Sequence, residues 1–235
     1  MHIGIGLPIA DVASLLSWAH RADTGPFRTL GLLDRLVYDN PEPLVTLAAL
    51  AGATRRIRLQ TEVLLAPLRE PTLLAKQVAT LDRISGGRFT LGLGIGGRAD
   101  DHHAAGVPLA GRGRRMDELL AVLRQTWSGA AVDGAGPIGP APSTARGPEV
   151  LFGAFAPAAL ARVARWGDGF LCAAAPSWAE PLVSEVRRSW REAGRAGTPR
   201  LVGQVNVALG PESTIAAARR AIADYYAFTG DAVTP

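Results

Sequence analysis

Two adjacent histidines, His102 and His103, stand in a polar stretch, RADDHHAAG, that follows a run of spaced glycines. Histidine can exchange a proton near neutral pH or ligate a metal. Adjacent histidines point apart, and no Cys, Asp or Glu set with ligand spacing surrounds them, so the stretch predicts no metal site. We interpret Asp100 and Asp101 as ordinary loop residues and expect both histidines to face solvent. If this loop, which runs to Gly113, closes as a lid, either histidine is a candidate acid or base.

The preceding glycines, Gly92, Gly94 and Gly97, match the pattern GxGxxG after a predicted strand. A dinucleotide-binding fold requires a helix directly after these glycines and an acidic residue at the end of a second strand. Neither follows here. The glycines therefore indicate that a planar ligand lies close to the end of the strand.

Two further groups have both a chemical and a structural interpretation. Asp34 ends a predicted strand, which is where barrel enzymes carry their catalytic groups, but it can also form a local ion pair with Arg35. The arginines Arg112, Arg114 and Arg115 can grip a phosphate or an acidic substrate. They can equally form a solvated helix start paired with the acidic residues that follow.

The segment from Arg55 to Gly97 indicates which elements position these residues. An apolar run ends at Pro67, and Pro71 then stands where the first turn of a helix tolerates proline. Apolar residues recur at helical spacing until Gly86 and Gly87, which supply the left-handed backbone of a helix end. Another apolar strand follows. A strand, a crossover helix and a strand this close together predict a right-handed βαβ unit.

The same pattern extends along the chain and predicts seven strands, each followed by a helix. We expect strands at 2–8, 29–33, 57–65, 89–95, 150–152, 169–174 and 201–209, and helices at 11–21, 41–51, 71–85, 112–127, 157–166, 178–193 and 213–226. A (β/α)8 TIM barrel and an open doubly wound sheet both fit. The count, and a first turn without a glycine cluster, favour the barrel. Its eighth unit is expected to be missing or truncated, because the sequence reaches Pro235 where that unit would come.

Composition limits the remaining possibilities. The 235 residues are expected to form a single domain over residues 1–235, with a Gly/Pro-rich insertion at about 129–148. The net charge is +4 and the arginines are scattered, which disfavours nucleic acid as a partner. No apolar run approaches the roughly 20 residues of a membrane span, and no signal peptide is recognisable, so we expect a cytoplasmic protein without a membrane partner. The single cysteine, Cys172, is expected to be a buried and unreactive thiol.

Several segments carry a resemblance to a known family. The run LLAPLREPTLLAKQVATLDRISGGRFTLGLGIGG resembles the signature of the bacterial luciferase-like flavin-dependent oxidoreductases, or luciferase-like monooxygenases. VLFGAFAPAALARVARWGDGFLCAAA is similar to two later units of the same family, including its WGDG turn. The resemblance implies a (β/α)8 barrel that binds FMN or the deazaflavin coenzyme F-420. It also implies a homodimer built through the early helices.

The same resemblance assigns site residues. It places the cofactor ring across the strand ends at Asp34, Thr61, Glu62, Gly94 and Gly96. It places the cofactor phosphate near two short segments: Gly153, Ala154, Phe155 and Ala156, and Cys172, Ala173 and Ala174. Small residues let backbone N–H groups approach a phosphate, and a helix start adds its positive end. The segment GAFAP departs from the Gly-Gly-Ser-Pro step common in the family and lacks its hydroxyl donor.

The implied reaction depends on the cofactor. With reduced FMN, supplied by a flavin reductase, and dioxygen, the family oxygenates small organic substrates; with the deazaflavin it transfers a hydride. The catalytic candidates are His102, His103 and Asp34. A non-catalytic flavin-binding relative remains an alternative, because the barrel is short and the phosphate motif weak. An unrelated barrel such as a metal-dependent hydrolase is disfavoured, because no cluster of ligands stands at the strand ends.

Overall fold

Short parallel strands alternate with helices along the whole chain. The structure, a computed structural model, describes residues 1–7, 11–132, 134, 136–144, 146–173 and 176–228. The strands are β1 (Gly4–Gly6), β2 (Thr29–Leu32), β3 (Arg58–Thr61), β4 (Leu64–Leu65), β5 (Phe89–Gly94), β6 (Glu149–Gly153), β7 (Gly169–Cys172) and β8 (Arg200–Gly203). The helices are α1 (Val12–Thr24), α2 (Pro43–Ala53), α3 (Pro71–Ser85), α4 (Ala99–Ala104), α5 (Arg112–Trp127), α6 (Pro157–Trp166), α7 (Pro176–Glu192) and α8 (Glu212–Tyr226), with a 3-10 turn at Ala66–Leu68.

The order of the strands in the sheet decides between the two predicted architectures. The strands lie in the order β1-β2-β3-β5-β6-β7-β8, all neighbours are parallel, and the short β4 also pairs with β5. Spatial order therefore follows chain order, whereas a doubly wound sheet reverses its direction at a switch point. The predicted (β/α)8 barrel fold is confirmed, with seven successive strand positions filled by the described residues.

Local signals account for most element boundaries. Asp11 caps α1 by accepting a hydrogen bond from the backbone N–H of Ala13 at 3.0 Å, and Gly86 ends α3 with a φ of 65°. The bounds predicted for α5 and α6 agree with the structure. The strand predicted at 57–65 is instead divided into β3 and β4 at Glu62 and Val63, whose peptide bond is cis.

Two predictions about elements are wrong. The strand predicted at 201–209 stops at Gly203, and its further apolar residues Val205, Val207 and Leu209 are exposed rather than paired. The loop predicted after β5 contains a short helix, α4, in which both adjacent histidines lie. Four of its residues, DDHH, are polar, so the helix has no apolar repeat from which it could be predicted.

The two faces of the sheet have different roles. Side chains such as Leu30, Leu59, Phe89 and Phe170 point outward and pack under the helices in one buried apolar cluster. On the inner face, the amino-terminal end is filled by polar groups. Glu149 accepts a hydrogen bond from the Thr90 hydroxyl at 2.8 Å and is ion-paired with Arg58 at 3.3 Å and with Arg200. These polar groups lie at the amino-terminal end of the strands, opposite the carboxyl end where (β/α)8 enzymes place their sites.

The Gly/Pro-rich segment between α5 and β6 lies against α3. Lys76 donates from Nζ to the carbonyl of Gly139 at 2.8 Å, and the backbone N–H of Ser143 donates to Asp82 at 2.6 Å. Its described residues form turns and irregular structure. In the described part of the chain, no helix is long and apolar enough to cross a membrane.

Candidate active site

Four glycines open the carboxyl end of the inner face: Gly6 of β1, Gly31 of β2, Gly94 of β5 and Gly153 of β6. A Cβ atom on any of them would lie 2.0–3.1 Å from a side chain of the β3–β4 corner. At Gly6, Gly31 and Gly94 the distance is below 3.0 Å, which real Cβ atoms essentially never show, so glycine lets these side chains lie flat against the strands; at Gly153 the contact at 3.1 Å is tight. A ligand at this end of the barrel would therefore meet the side chains of the corner, which lie over the glycines.

The β3–β4 corner sends its two adjacent side chains in opposite directions across this surface. Glu62 lies over β1 and β2, with its carboxyl carbon 2.0 Å from the position of a Cβ on Gly31. Val63 lies over β5 and β6, where its methyl groups fill the space beside Gly94 and Gly153. Both residues therefore line the carboxyl end of the barrel, where (β/α)8 enzymes place their sites.

The carboxyl group of Glu62 is held by two glutamines. Gln60 donates from Nε2 to one oxygen at 3.2 Å, and Gln204, in the segment after β8, donates to the other at 3.3 Å. Burial raises the pKa of Glu62 to about 7, although the hydrogen bond from Gln60 acts in the opposite direction. Glu62 therefore changes its charge near neutral pH, as an acid or base must.

Asp34 forms an ion pair, but its partner is Arg69 rather than the neighbouring arginine. Both carboxylate oxygens accept from Arg69 Nη2, at 3.0 and 2.9 Å, and one also accepts from the backbone N–H of Leu65 at 2.8 Å. Burial raises the pKa of Asp34, and the charge of Arg69 opposes that change. These bonds fasten the end of β2 to β4 and so fix the position of the corner. The predicted catalytic role of Asp34 stays a prediction.

Asp101 is not an ordinary loop residue, so that interpretation is wrong. Its side chain is 1% exposed and accepts from Arg35 Nε at 2.5 Å and from the backbone N–H groups of Leu36 and Val37 at 3.0 and 2.8 Å. Arg35 is also buried and reaches Asp100 at 3.1 Å. This cluster holds α4 against the segment after β2.

The structure separates the two histidines. His103 is exposed as predicted, but His102 is only 2% exposed. Its Nδ1 lies 3.3 Å from the carbonyl of Val107, whereas its Nε2 is buried without a hydrogen-bond partner in the structure. That nitrogen would lie 3.2 Å from a Cβ on Gly96, which has a φ of 68°. His102 thus presents an unsatisfied polar atom beside a residue that we assigned to the cofactor ring.

The predicted phosphate segment leads from β6 into α6. Ala156 is the N-cap of α6 and makes no side-chain hydrogen bond to its first turn. Ala154 is buried and Phe155 is exposed. The first backbone N–H groups of the helix therefore lack a side-chain acceptor, which is the condition for binding an anion there. In the second predicted segment Cys172 is buried at the end of β7, as expected, Ala173 is exposed, and Ala174 lies outside the described residues.

The arginines at the start of α5 follow the structural interpretation in part. Arg114 pairs with Glu118 one turn later, at 3.5 Å on the surface. Asp117 pairs instead with Arg162 of α6, at 2.8 Å. Arg115 donates to backbone carbonyls of the preceding loop. These arginines hold helices and loops rather than converge on a single point.

Aromatic rings and arginines connect the end of α8 to the same face of the barrel. Tyr225 packs edge-on against Tyr38 with ring centroids 5.5 Å apart, and the guanidinium of Arg98 lies 4.9 Å from the Tyr225 ring centre. Arg98 also donates to the carbonyl of Tyr225. Because α8 begins beyond the carboxyl end of β8 and ends at loops that follow β2 and β5, it spans this face of the barrel.

An apolar cavity of about 280 Å³ lies between α7 and the strands β7 and β8. Phe170, Ala179, Val183 and Leu201 are among its lining residues. It is slightly smaller than the roughly 300–1,000 Å³ of typical ligand pockets. The glycine-lined carboxyl end remains the better candidate for a large planar ligand.

Sequence reasoning missed the two glutamines and Arg69. The contact between Gln60 and Glu62 could have been predicted, because residues two apart on a strand lie on the same face and Gln60 precedes Glu62 by two. The contacts of Arg69 and Gln204 could not have been predicted from the sequence, because only the tertiary structure brings each of them next to its partner.

The comparisons with known proteins agree with this geometry. The family model for luciferase-like monooxygenases matches residues 3–233. An uncharacterised protein of Mycobacterium tuberculosis is 35% identical over 161 residues, which is 66% of this chain and 56% of the relative. The chain thus spans little more than half the length of the curated relatives that it matches first.

Two solved structures share the fold. Monooxygenase RslO1 from Streptomyces bottropensis has a TM-score of 0.84 at 25% identity, covering 98% of this chain and 81% of that one. Coenzyme F-420-dependent tetrahydromethanopterin reductase from Methanopyrus kandleri has a TM-score of 0.77 at 23% identity, covering 95% and 72%. The parallel barrel therefore has the same fold as these two structures. With the family model covering nearly all of it, the chain belongs to the luciferase-like monooxygenase family, as the resemblance predicted.

Proposed function

We propose that this protein binds FMN at the carboxyl end of the barrel and, with reduced FMN and dioxygen, oxygenates a small organic substrate. The observation that carries the proposal is the set of glycines at 6, 31, 94 and 153, against which the side chains of Glu62 and Val63 lie flat, so that their outer side can support a flat ring system. Membership of the luciferase-like monooxygenase family and the similarity to a Streptomyces monooxygenase support the oxygenating reaction.

The residues present fit such a cofactor. The ring would lie against Glu62, Gly94 and Gly96, where the unsatisfied Nε2 of His102 can find a partner. Thr61, which was also assigned to the ring, is buried, and its hydroxyl donates to the carbonyl of Gly92 at 2.7 Å, so it would support the ring site from behind. The phosphate would be held at the uncapped start of α6 and near the end of β7. Bound flavin supplies the redox chemistry.

The protein's own side chains would position the ring and handle protons. The Asp34–Arg69 pair holds the β3–β4 corner in place. Of the two predicted acid–base residues, we propose His102 for that role, because it is buried beside Gly96, whereas His103 is exposed. The α8 helix would limit the access of water from above.

A deazaflavin-dependent hydride transfer is the second candidate. It is favoured by the similarity to the coenzyme F-420-dependent reductase, whose barrel has the same fold. In the FMN case the protein would need reduced cofactor from a flavin reductase. We propose a homodimer in either case. A non-catalytic flavin-binding relative would retain the ring site without turnover.

Titration with oxidised FMN, reduced FMN and the deazaflavin, followed by absorbance or fluorescence, tests the proposal. We expect FMN to bind and Gly94→Ala to weaken binding, because the added Cβ would lie 2.4 Å from Val63 and displace it into the ring site. Gly97→Ala is the matched control, because nothing lies within 4 Å of its added Cβ. Tight binding of the deazaflavin alone would select hydride transfer, and binding of neither cofactor would contradict the proposal.

Turnover of two alanine variants tests the histidines. We expect His102→Ala to slow the reaction and His103→Ala to change it little, since only His102 is buried beside the ring site. Unchanged rates in both variants would remove both from the mechanism.

A further inference from the structure

The carboxyl group of Glu62 differs from the other carboxyl groups near the strand ends in its surroundings. Asp34 is paired with Arg69 at 2.9 Å and Asp101 with Arg35 at 2.5 Å. In the part of the chain that the structure describes, no basic side chain lies within 4.0 Å of either Glu62 oxygen. Glu62 therefore extends into the barrel without a counter-ion.

Among the residues that the structure describes, the hydrogen-bond partners and the flanking glycines of the carboxyl are all uncharged. Gly6 and Gly31 lie under it from β1 and β2, Gln60 approaches from β3 and Gln204 from the segment after β8. The two glycines leave room for the carboxyl, and the two glutamines fix the direction in which it points. This arrangement is a shaped cradle with a polar group at its centre, on the surface proposed for the cofactor ring.

Such a cradle favours the neutral acid over the carboxylate. An unpaired buried carboxylate loses its hydration without gaining a compensating charge, whereas a carboxylic acid loses far less. Consistently, burial raises the pKa of Glu62 to about 7. In the neutral acid both oxygens can still accept from Gln60 and Gln204, which leaves the single O–H proton free to donate to another group.

We propose that Glu62 binds the cofactor ring as a neutral carboxylic acid whose O–H donates a hydrogen bond to an acceptor atom of the ring. The identity of the ligand in this inference rests on the proposed function. The neutral state of Glu62 rests on the two glycines and two glutamines that surround its carboxyl group. The site then selects a ring that turns an unprotonated oxygen or nitrogen toward β3. It excludes a ring that offers only a donor at that position.

The first experiment needs no ligand. Unfolding by urea is followed between pH 5 and pH 8.5 for the wild type, Glu62→Gln and the control Glu118→Gln, which changes an exposed residue of α5. A carboxyl with a raised pKa in the folded state contributes stability below its unfolded value of 4.5, and that contribution is lost as the pH rises to about 7. We expect Glu62→Gln to gain stability relative to the wild type across this window and Glu118→Gln to follow the wild type. A constant difference between Glu62→Gln and the wild type would overturn the inference.

The second experiment measures the dissociation constants of FMN and the deazaflavin over the same pH range. Above pH 7 the wild type should bind up to about tenfold more weakly per pH unit relative to Glu62→Gln, whose amide still donates at every pH. The ratio between the two proteins cancels the ionisation of the cofactor phosphate. A ratio independent of pH, with both proteins binding, would overturn the role of Glu62 and leave the proposed function standing. Failure of both cofactors to bind at any pH would overturn the proposed function and the binding role together.

Discussion

Replacing Asp101, whose side chain is only 1% exposed, by asparagine removes a buried charge while preserving the shape of the side chain. The Oδ1 atom, which accepts from the backbone N–H groups of Leu36 and Val37 at 3.0 and 2.8 Å, has an equivalent in asparagine. The Oδ2 atom, which accepts from Arg35 Nε at 2.5 Å, is replaced by an NH₂ group that faces another donor. The variant therefore isolates one charged contact.

The expected loss in the free energy of unfolding depends on the contacts that the Arg35 guanidinium keeps in the variant. Removing one partner of a buried ion pair costs about 3–5 kcal/mol. Arg35 retains Asp100 at 3.1 Å and the carbonyl of Val37 at 3.2 Å, so we expect the lower end, about 3 kcal/mol. Asp101→Ala also leaves both backbone donors unsatisfied and should cost about 5 kcal/mol.

The neighbouring residue supplies a matched control. Asp100 contacts the same guanidinium, but its side chain is 42% exposed. Asp100→Asn should therefore cost about 1 kcal/mol or less. Urea unfolding monitored by circular dichroism measures all three variants at one pH and salt concentration. Equal losses in Asp101→Asn and Asp100→Asn, or a loss below about 1 kcal/mol in Asp101→Asn, would refute the assignment of Asp101 as a buried structural charge.

Three other perturbations test separate features of the fold. Gly31→Ala should destabilise the protein by about 1–3 kcal/mol in urea unfolding, because the new Cβ would overlap the Glu62 carboxyl. Gly52→Ala, in α2 with nothing within 4 Å of its added Cβ, should stabilise it by about 0.5–1 kcal/mol; a gain in both variants would contradict the packing at Gly31. Arg98→Ala should speed amide hydrogen exchange at the end of α8, since Arg98 holds that end by a hydrogen bond and two ring contacts. Arg219→Ala, which changes an exposed residue of α8, should leave that exchange rate unchanged. Equal exchange rates in the two variants would show that α8 is held by other contacts.

Much of the architecture is encoded locally. The apolar repeat, Asp11 as a cap and Gly86 at a helix end predict where α1 and α3 lie, because a cap or a left-handed glycine acts on its own turn of backbone. The regular alternation of strand and helix likewise predicts parallel neighbours. Where no such local signal exists, as in the polar α4, the prediction failed.

The site was predictable only in outline. That polar and small residues gather at the strand ends follows from the barrel itself, because parallel strands bring their carboxyl ends to one face. The individual partners did not follow. His102 and His103 are equivalent in the sequence, and only packing buries one and exposes the other.

The sequence by itself determined the barrel, the order of its units and the glycines at 92, 94 and 97 around the end of one strand. The tertiary structure alone decided which charged and polar side chains contact each other. Asp34 meets Arg69 across 35 residues, Arg35 meets Asp101 across 66, and Glu62 meets Gln204 across 142. A long-range pair leaves no periodic trace in the chain, since its partners are set by how the strands are arranged around the barrel. For the same reason, only the folded protein shows that Glu62, unlike Asp34 and Asp101, has no ion-pair partner among the described residues.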